Sequence, residues 1–201
     1  MTRLLLALSL TLLAPVAHAS DANPFVDSYA LEANYRYDLA LEKLSAVPST
    51  GDTAYFVQLR RGWLLYLLGR YADSVQTYEK ALALNPTAEA RLGLTLPLMA
   101  LRRWSEAEQA CRGVLEVAPG NYLAQSRLAY VLYSAGRYAD AEAAYQTVVT
   151  LFPSDTEMRA GLGWAQLKQG KSAAARKAFQ LVLLISPDHA SATEGLAATG
   201  G

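Results

Sequence analysis

The side chains that most often perform nucleophilic or metal chemistry are scarce in this sequence. Of its 201 residues, one is a cysteine, Cys111, and two are histidines, His18 and His189. A cysteine or serine nucleophile needs an imidazole or another base within hydrogen-bond reach, and a closed zinc site needs several nitrogen or sulfur ligands. The sequence also lacks a glycine-rich phosphate loop. We therefore predict a protein that is not an enzyme and holds no metal or cofactor.

A periodic arrangement of prolines organises most of the chain. Pro86, Pro119, Pro153 and Pro187 lie 33, 34 and 34 residues apart. Each proline follows a segment in which apolar residues recur at helical spacing. In the segment that ends at Pro153, Gly136 divides the helical pattern in two. Proline disfavours helical geometry in the residue before it, whereas glycine can adopt the left-handed conformation that ends a helix. The sequence thus predicts helical hairpins stacked in series, at residues 55–86, 88–119, 122–153 and 156–187.

The N-terminal segment has the regions expected of a secretory signal peptide. Arg3 supplies a basic start, residues 4–13 form an apolar run, and Ala17-His18-Ala19 places small residues before a cleavage site. The run is shorter than the roughly 20 residues that a membrane span needs. We therefore predict that residues 1–19 are cleaved and that the mature protein is periplasmic or secreted, without stable membrane insertion.

The charge balance argues against nucleic acid as a partner. The chain has 18 basic and 18 acidic residues, and loss of Arg3 with the signal peptide leaves 17 and 18. No basic field remains to attract phosphates. Because a single cysteine forms no internal disulfide, packing must stabilise the exported fold.

Both ends of the array are predicted to differ from the central repeats. Residues 20–52 are predicted to form a degenerate capping hairpin and a loop, because a shortened helical pattern begins at Pro24. Residues 188–201 are Ala-rich and are predicted to form a capping helix and tail. Such atypical units cover the apolar face that a stacked array leaves exposed. The Ser154-x-x-Glu157 spacing predicts a capping box at the start of the fourth repeat.

The repeated unit resembles the tetratricopeptide repeat family. That family pairs a Leu-Gly-like step on the first helix of each hairpin with Ala-x-x-x-aromatic and a final proline on the second. The third repeat here has Leu128-Ala129 and Ala141-x-x-x-Tyr145, and Cys111 takes the aromatic position in the second, which predicts a buried thiol. The resemblance implies an all-α, right-handed superhelical solenoid of four antiparallel helical hairpins, with a degenerate hairpin at one end and a capping helix at the other.

The resemblance also implies a concave groove lined by the first helices of the hairpins. An exposed stripe of apolar and aromatic side chains usually marks a binding site. The alternative is that the superhelix winds tightly enough for these side chains to pack against each other. Arg60 and Arg127 could orient an acidic group, although a solvated or salt-bridged role is favoured for both. The predicted groove residues are Phe56, Leu59, Trp63, Tyr66, Leu96, Met99, Arg127, Tyr130, Tyr133 and Trp164.

One subtype of the family fits this groove poorly. Members that bind the acidic C-termini of chaperones carry Lys, Asn and Arg across the concave surface. The corresponding asparagine positions here hold Trp63, Leu96, Tyr130 and Trp164. The predicted groove therefore suits an apolar helix or an extended peptide better.

The last repeat offers a second surface. Leu181 and Leu184 stand where the other repeats have small or polar residues, so either the Ala-rich tail covers them or they contact another chain.

The favoured function is a non-catalytic adaptor that holds a protein or peptide partner in the groove. Two alternatives stay open: a homo-oligomeric scaffold, and a glycan-binding accessory of envelope or polysaccharide export in which Trp63, Tyr130 and Trp164 stack on sugar rings.

Overall fold

The computed structural model describes residues 23–200, and within that range every regular element is helical. The predicted signal peptide, residues 1–19, lies outside the described residues. None of the described helices is long and apolar enough to cross a membrane. The α-helices are α1 (Pro24–Ala33), α2 (Tyr37–Lys43), α3 (Ala54–Leu67), α4 (Tyr71–Leu84), α5 (Ala88–Ala100), α6 (Trp104–Leu115), α7 (Tyr122–Ser134), α8 (Tyr138–Leu151), α9 (Thr156–Lys168), α10 (Ser172–Ile185) and α11 (Ala190–Ala198).

The helices pack as consecutive hairpins. α3 packs against α4, α5 against α6, α7 against α8 and α9 against α10, and the second helix of each pair packs against the first helix of the next. α1 and α2 form a shortened hairpin at the N-terminal end, followed by short 3-10 turns at Leu44–Ala46 and Gly51–Thr53. At the other end α11 packs on α9 and α10. The all-α solenoid predicted from the sequence is confirmed.

The turn inside each repeat depends on one residue with a left-handed backbone. Gly69, Gly136 and Gly170 have φ values of 72°, 78° and 76°. In the second repeat Arg102 takes that position with a φ of 56°, and the Arg103 N–H then donates to the Leu98 carbonyl at 2.9 Å. A residue with a Cβ adopts this conformation at a cost of about 1–2 kcal/mol, so the backbone hydrogen bonds of the turn must offset that strain.

Aromatic side chains from the second helices fill the space between neighbouring hairpins. Tyr78, Tyr145 and Phe179 are all buried. Phe179 contacts two glycines, and a Cβ added at Gly163 or Gly195 would lie 2.7 or 2.3 Å from its ring. The helices approach closely there because glycine leaves room for the ring. A single phenyl ring on α10 therefore holds α9 and α11 in place.

The start of α9 differs from the predicted capping box. Asp155 is the N-cap residue, and its Oδ1 accepts a hydrogen bond from the Met158 N–H at 3.0 Å. The prediction of Ser154 was wrong because the chain enters the helix one residue later. The side chain that reaches the free amide is therefore that of Asp155.

Candidate functional site

A cavity of 1040 Å³ lies between the N-terminal hairpin and the first helices of the first three repeats. We call it the N-terminal cavity. Helices α1 and α2 form one side, and α3, α5 and α7 form the rest, with Tyr78 of α4 contributing its ring. Its volume is at the upper end of the range for small-molecule pockets, which makes it large enough for several peptide side chains. The predicted groove residues in its wall are Phe56, Leu59, Trp63, Leu96 and Arg127.

A second cavity, of 460 Å³, lies further along the same concave surface. We call it the C-terminal cavity, and its walls come from α7, α8, α9 and α11. It contains the predicted residues Tyr130, Tyr133 and Trp164. Arg127 and Tyr130 are three residues apart on α7. Residues at that spacing are neighbours on a helix surface, so the two cavities meet along α7.

Tyr66 and Met99 are not among the residues that line either cavity. Tyr66 stacks on Trp63, with ring centroids 5.7 Å apart and an interplanar angle of 30°. Met99 packs with Trp63 against a buried cluster that includes Leu94 and Leu98. The Tyr66 ring therefore supports the Trp63 indole at the edge of the cavity.

Phe56 and Tyr130 are the most accessible aromatic residues of the predicted groove. Their exposed fractions are 58% and 48%. Phe56 packs edge-to-face with Tyr55, with ring centroids 5.4 Å apart, so its ring has a defined position in the N-terminal cavity. Exposed aromatic rings in a concave surface are typical anchors for a bound partner.

Trp63 and Trp164 are half-buried, and their indole N–H groups are already paired. Trp63 donates to Oε1 of Glu32 at 2.7 Å, and Trp164 donates to Oγ of Ser191 at 2.9 Å. The Trp164 ring also packs edge-to-face on Phe179. The alternative in which groove side chains pack within the chain, and not against a partner, therefore fits the two tryptophans. It does not describe Phe56 and Tyr130.

Glu32 connects α1 to α3. Arg60 is 6% exposed, and its Nη1 forms an ion pair with Oε2 of Glu32, while its Nε donates to Oγ of Ser28 at 3.2 Å. The guanidinium carbon also lies 3.8 Å from the centroid of the Tyr29 ring. The salt-bridged role expected for Arg60 matches this geometry. The position of Glu32 was not predicted, because nothing in the repeat pattern links α1 to α3.

Arg127 differs from Arg60 because its partners are uncharged. Its Nη1 donates to the Leu92 carbonyl at 2.6 Å and to Oγ1 of Thr95 at 2.9 Å. Thr95 stands at the glycine position of the Leu-Gly step, so this departure from the family pattern supplies one of the acceptors. Burial lowers the pKa of the Arg127 guanidinium, although an arginine remains protonated at neutral pH. Within residues 23–200, Arg127 takes part in none of the ion pairs, which are all formed by other basic residues.

Cys111 and His189 have structural roles. Cys111 is fully buried, and burial raises the pKa of its thiol to about 11, so the reactive thiolate is not populated at neutral pH. His189 is the N-cap of α11, where its Nδ1 accepts a hydrogen bond from the Ala192 N–H at 3.3 Å. In the described part of the chain, no three His, Cys, Asp or Glu residues are grouped so that they could hold a metal ion.

Leu181 and Leu184 are not covered by the C-terminal helix. Their exposed fractions are 38% and 79%. α11 instead packs through Ala192 and Leu196 into the cluster around Phe179. Of the two alternatives left open for these leucines, cover by the Ala-rich tail does not match the structure, because the apolar side of α11 faces the interior formed by α9 and α10.

Stacked helical hairpins, three of which pack an aromatic residue of the second helix against small residues of the neighbouring helices, define an α-solenoid of short helical repeats. Family models described as tetratricopeptide repeat match residues 55–88, 97–156 and 126–192. The chain belongs to the tetratricopeptide repeat family.

Solved structures share this fold at low sequence identity. Residues 41 to the end of MamA from Desulfovibrio magneticus RS-1 align with a TM-score of 0.77 and 19% identity, covering 83% of this chain and 95% of that one. A tetratricopeptide repeat protein from Parabacteroides merdae aligns with a TM-score of 0.80 and 16% identity, covering 88% of this chain and 70% of that one. YrrB is described as a tetratricopeptide repeat protein with an unusual peptide-binding site. It aligns with a TM-score of 0.74 and 16% identity, covering 85% of this chain and 89% of that one. No curated protein sequence matches the chain.

Proposed function

We propose that this protein binds a segment of a partner protein along its concave surface. The observation that carries the proposal is the N-terminal cavity of 1040 Å³, whose wall combines aliphatic side chains with the exposed ring of Phe56. Concave and mostly apolar surfaces of this kind are where proteins bind ligands. The C-terminal cavity, which Tyr130 lines, extends the surface beyond the first three repeats. The fold likeness to YrrB, whose description names a peptide-binding site, is consistent with this use.

We also propose that binding takes place outside the cytoplasm. The support is the sequence of residues 1–19, in which a basic start, an apolar run and a small-residue cleavage site follow one another. Envelope assembly, secretion and polysaccharide export are the settings in which an exported adaptor of this family would act.

The contacts of the tryptophans favour a peptide over a glycan. A sugar ring stacks on an open aromatic face. Trp63 has one face on Tyr66, and the Trp164 ring packs against Phe179. Both indoles are further fixed by hydrogen bonds inside the chain. Phe56 and Tyr130, the accessible rings among the predicted groove residues, lie in separate cavities, and Tyr29 and Tyr35 add exposed rings to the N-terminal one. Accessible rings spread over two cavities suit the side chains of an elongated segment.

Self-association through the last repeat is a second candidate function. Leu184 is 79% exposed, and the adjacent Ile185 is 52% exposed. Apolar side chains this open on a terminal repeat are suited to contact with another copy of the chain. This surface lies on α10, whereas the concave wall comes from the first helices of the repeats, so the two functions are compatible.

The Phe56→Ala variant should lose partner binding without losing the fold. An aromatic anchor at the centre of an interface contributes on the order of 2 kcal/mol, which corresponds to roughly 30-fold in affinity. Mature protein is used as bait in an envelope extract of the producing cells, and recovered proteins are quantified by mass spectrometry. The binding segment of the main partner is then titrated by calorimetry.

Leu84→Ala is the matched control for that experiment, because Leu84 is also exposed and apolar but lies outside both cavities and outside the α10 surface. We expect wild type and Leu84→Ala to recover the same partner, and Phe56→Ala to recover far less of it. Equal recovery by all three proteins, with identical circular dichroism, would contradict binding at the N-terminal cavity.

A further inference from the structure

We propose that the segment bound on the concave surface carries an acidic side chain between apolar residues, and that Arg127 forms an ion pair with this carboxylate. The inference rests on the proposed function and adds the chemistry of the ligand. It follows from the unsatisfied hydrogen-bond donors of Arg127, from the other charges on the cavity wall and from the position of Arg127 between the two cavities.

The guanidinium of Arg127 is held in place but remains incompletely satisfied. Its Nη1 donates to the Leu92 carbonyl and to Oγ1 of Thr95, which fixes the side chain against α5. Its Nε and Nη2 donate no hydrogen bond within the described chain and are not among the atoms sealed from solvent. A half-buried cation is stabilised most by an anionic partner, and a guanidinium presents adjacent donors that match a carboxylate. Arg127 is therefore oriented with free donors available to a ligand.

The two carboxylates that line the N-terminal cavity do not neutralise Arg127. Glu32 is engaged by Arg60 and by the Trp63 indole. Glu89 is exposed near the start of α5 and forms no ion pair with Arg127. Because the positive charge of Arg60 is compensated internally and that of Arg127 is not, the cavity keeps one cation that an acidic ligand can pair with.

The position of Arg127 favours an acidic side chain over a chain terminus. Arg127 lines the N-terminal cavity, and Tyr130, one helical turn further along α7, lines the C-terminal cavity. A segment that fills both cavities passes Arg127 in its middle. The group presented there is then a side chain, with an apolar residue against Phe56 on one side and another against Tyr130 on the other.

Three pools of fluorescent peptides test this inference by anisotropy titration against mature protein. Each pool has a fixed central residue flanked on both sides by mixtures of Leu, Phe, Tyr and Ser. The first has a central Glu with acetylated and amidated ends, the second a central Gln with the same ends, and the third a central Gln with a free C-terminal carboxylate. The variants are Arg127→Gln and the control Arg91→Gln, which removes a charge on α5 outside both cavities.

We expect wild type and Arg91→Gln to bind the Glu-centred pool at least about tenfold more tightly than the Gln-centred pool, and Arg127→Gln to lose that preference. Equal binding of the Glu-centred and Gln-centred pools by wild type would overturn the inference and leave the proposed function standing. Preference for the free-carboxylate pool would overturn the assignment to a side chain. Absence of binding by all pools would contradict the proposed function itself. The comparison within wild type requires no variant to fold.

Discussion

Replacing Phe179 with alanine should lower the free energy of unfolding by about 3–5 kcal/mol. The Phe179 ring is fully buried and fills the space that Gly163 and Gly195 leave between three helices. Its removal leaves a cavity that the glycines cannot fill, because they have no side chains to move into it. Urea denaturation followed by circular dichroism measures the change.

Phe56→Ala is the control, because it makes the same chemical change at a side chain that is 58% exposed. Its unfolding free energy should change by no more than about 0.5 kcal/mol. Similar losses for the two variants would show that Phe179 is not the packing centre of the C-terminal repeats.

Glu32→Ala should loosen α1 against α3. The change leaves the guanidinium of Arg60 buried without its counter-charge and the indole N–H of Trp63 without its acceptor. Removing one partner of such an ion pair costs about 3 kcal/mol or more. The buried apolar cluster around Leu64 still holds the N-terminal hairpin on α3, so we expect local opening of α1 alone, with amide hydrogen exchange in α1 rising on the order of 100-fold. Exchange is read by mass spectrometry on peptides covering residues 24–46.

Glu42→Ala is the matched control for this variant, because Glu42 is an exposed carboxylate on α2 without an ion-pair partner within the described chain. Its exchange pattern should equal that of wild type. If α1 exchanges at the wild-type rate in Glu32→Ala, α1 is held by contacts other than the Glu32 ion pair.

The hairpins could be predicted from the sequence because their signals are local. A glycine that must adopt positive φ and a proline that cannot continue a helix act on the residues next to them. Gly136 and Pro153 therefore delimit α8 without any knowledge of tertiary contacts. Comparison of the repeats also predicted a buried thiol at Cys111, since that position carries a buried aromatic residue in the other repeats.

The chemistry of the groove could be predicted only in part, because it depends on contacts between distant helices. The family pattern indicates which residues of a first helix face the concave side, but not which of them are already paired. The pairing of Trp63 with Glu32 links residues 31 positions apart, from a helix that lies outside the repeats. The contact of Arg127 with Thr95 similarly joins two repeats. No periodicity in the sequence encodes either pairing.

The orientation of α11 is a further case that depends on tertiary structure. An Ala-rich helix has little amphipathic signal, so the sequence leaves open which surface it covers. Gly195 decides the orientation, because its missing side chain admits the Phe179 ring and brings α11 against α9 and α10. Leu184 is left exposed as a result.

The most direct test of the concave surface as the binding site is photo-crosslinking with benzoyl-phenylalanine placed at single positions in the producing cell. The reactive residue replaces Phe56, Tyr130 or Leu184 in separate strains, and crosslinked products are identified by mass spectrometry. We predict that the same partner segment is captured from positions 56 and 130, which lie in the two cavities, and not from position 184. Capture from position 184 alone, whether of another protein or of a second copy of this chain, would contradict binding in the groove.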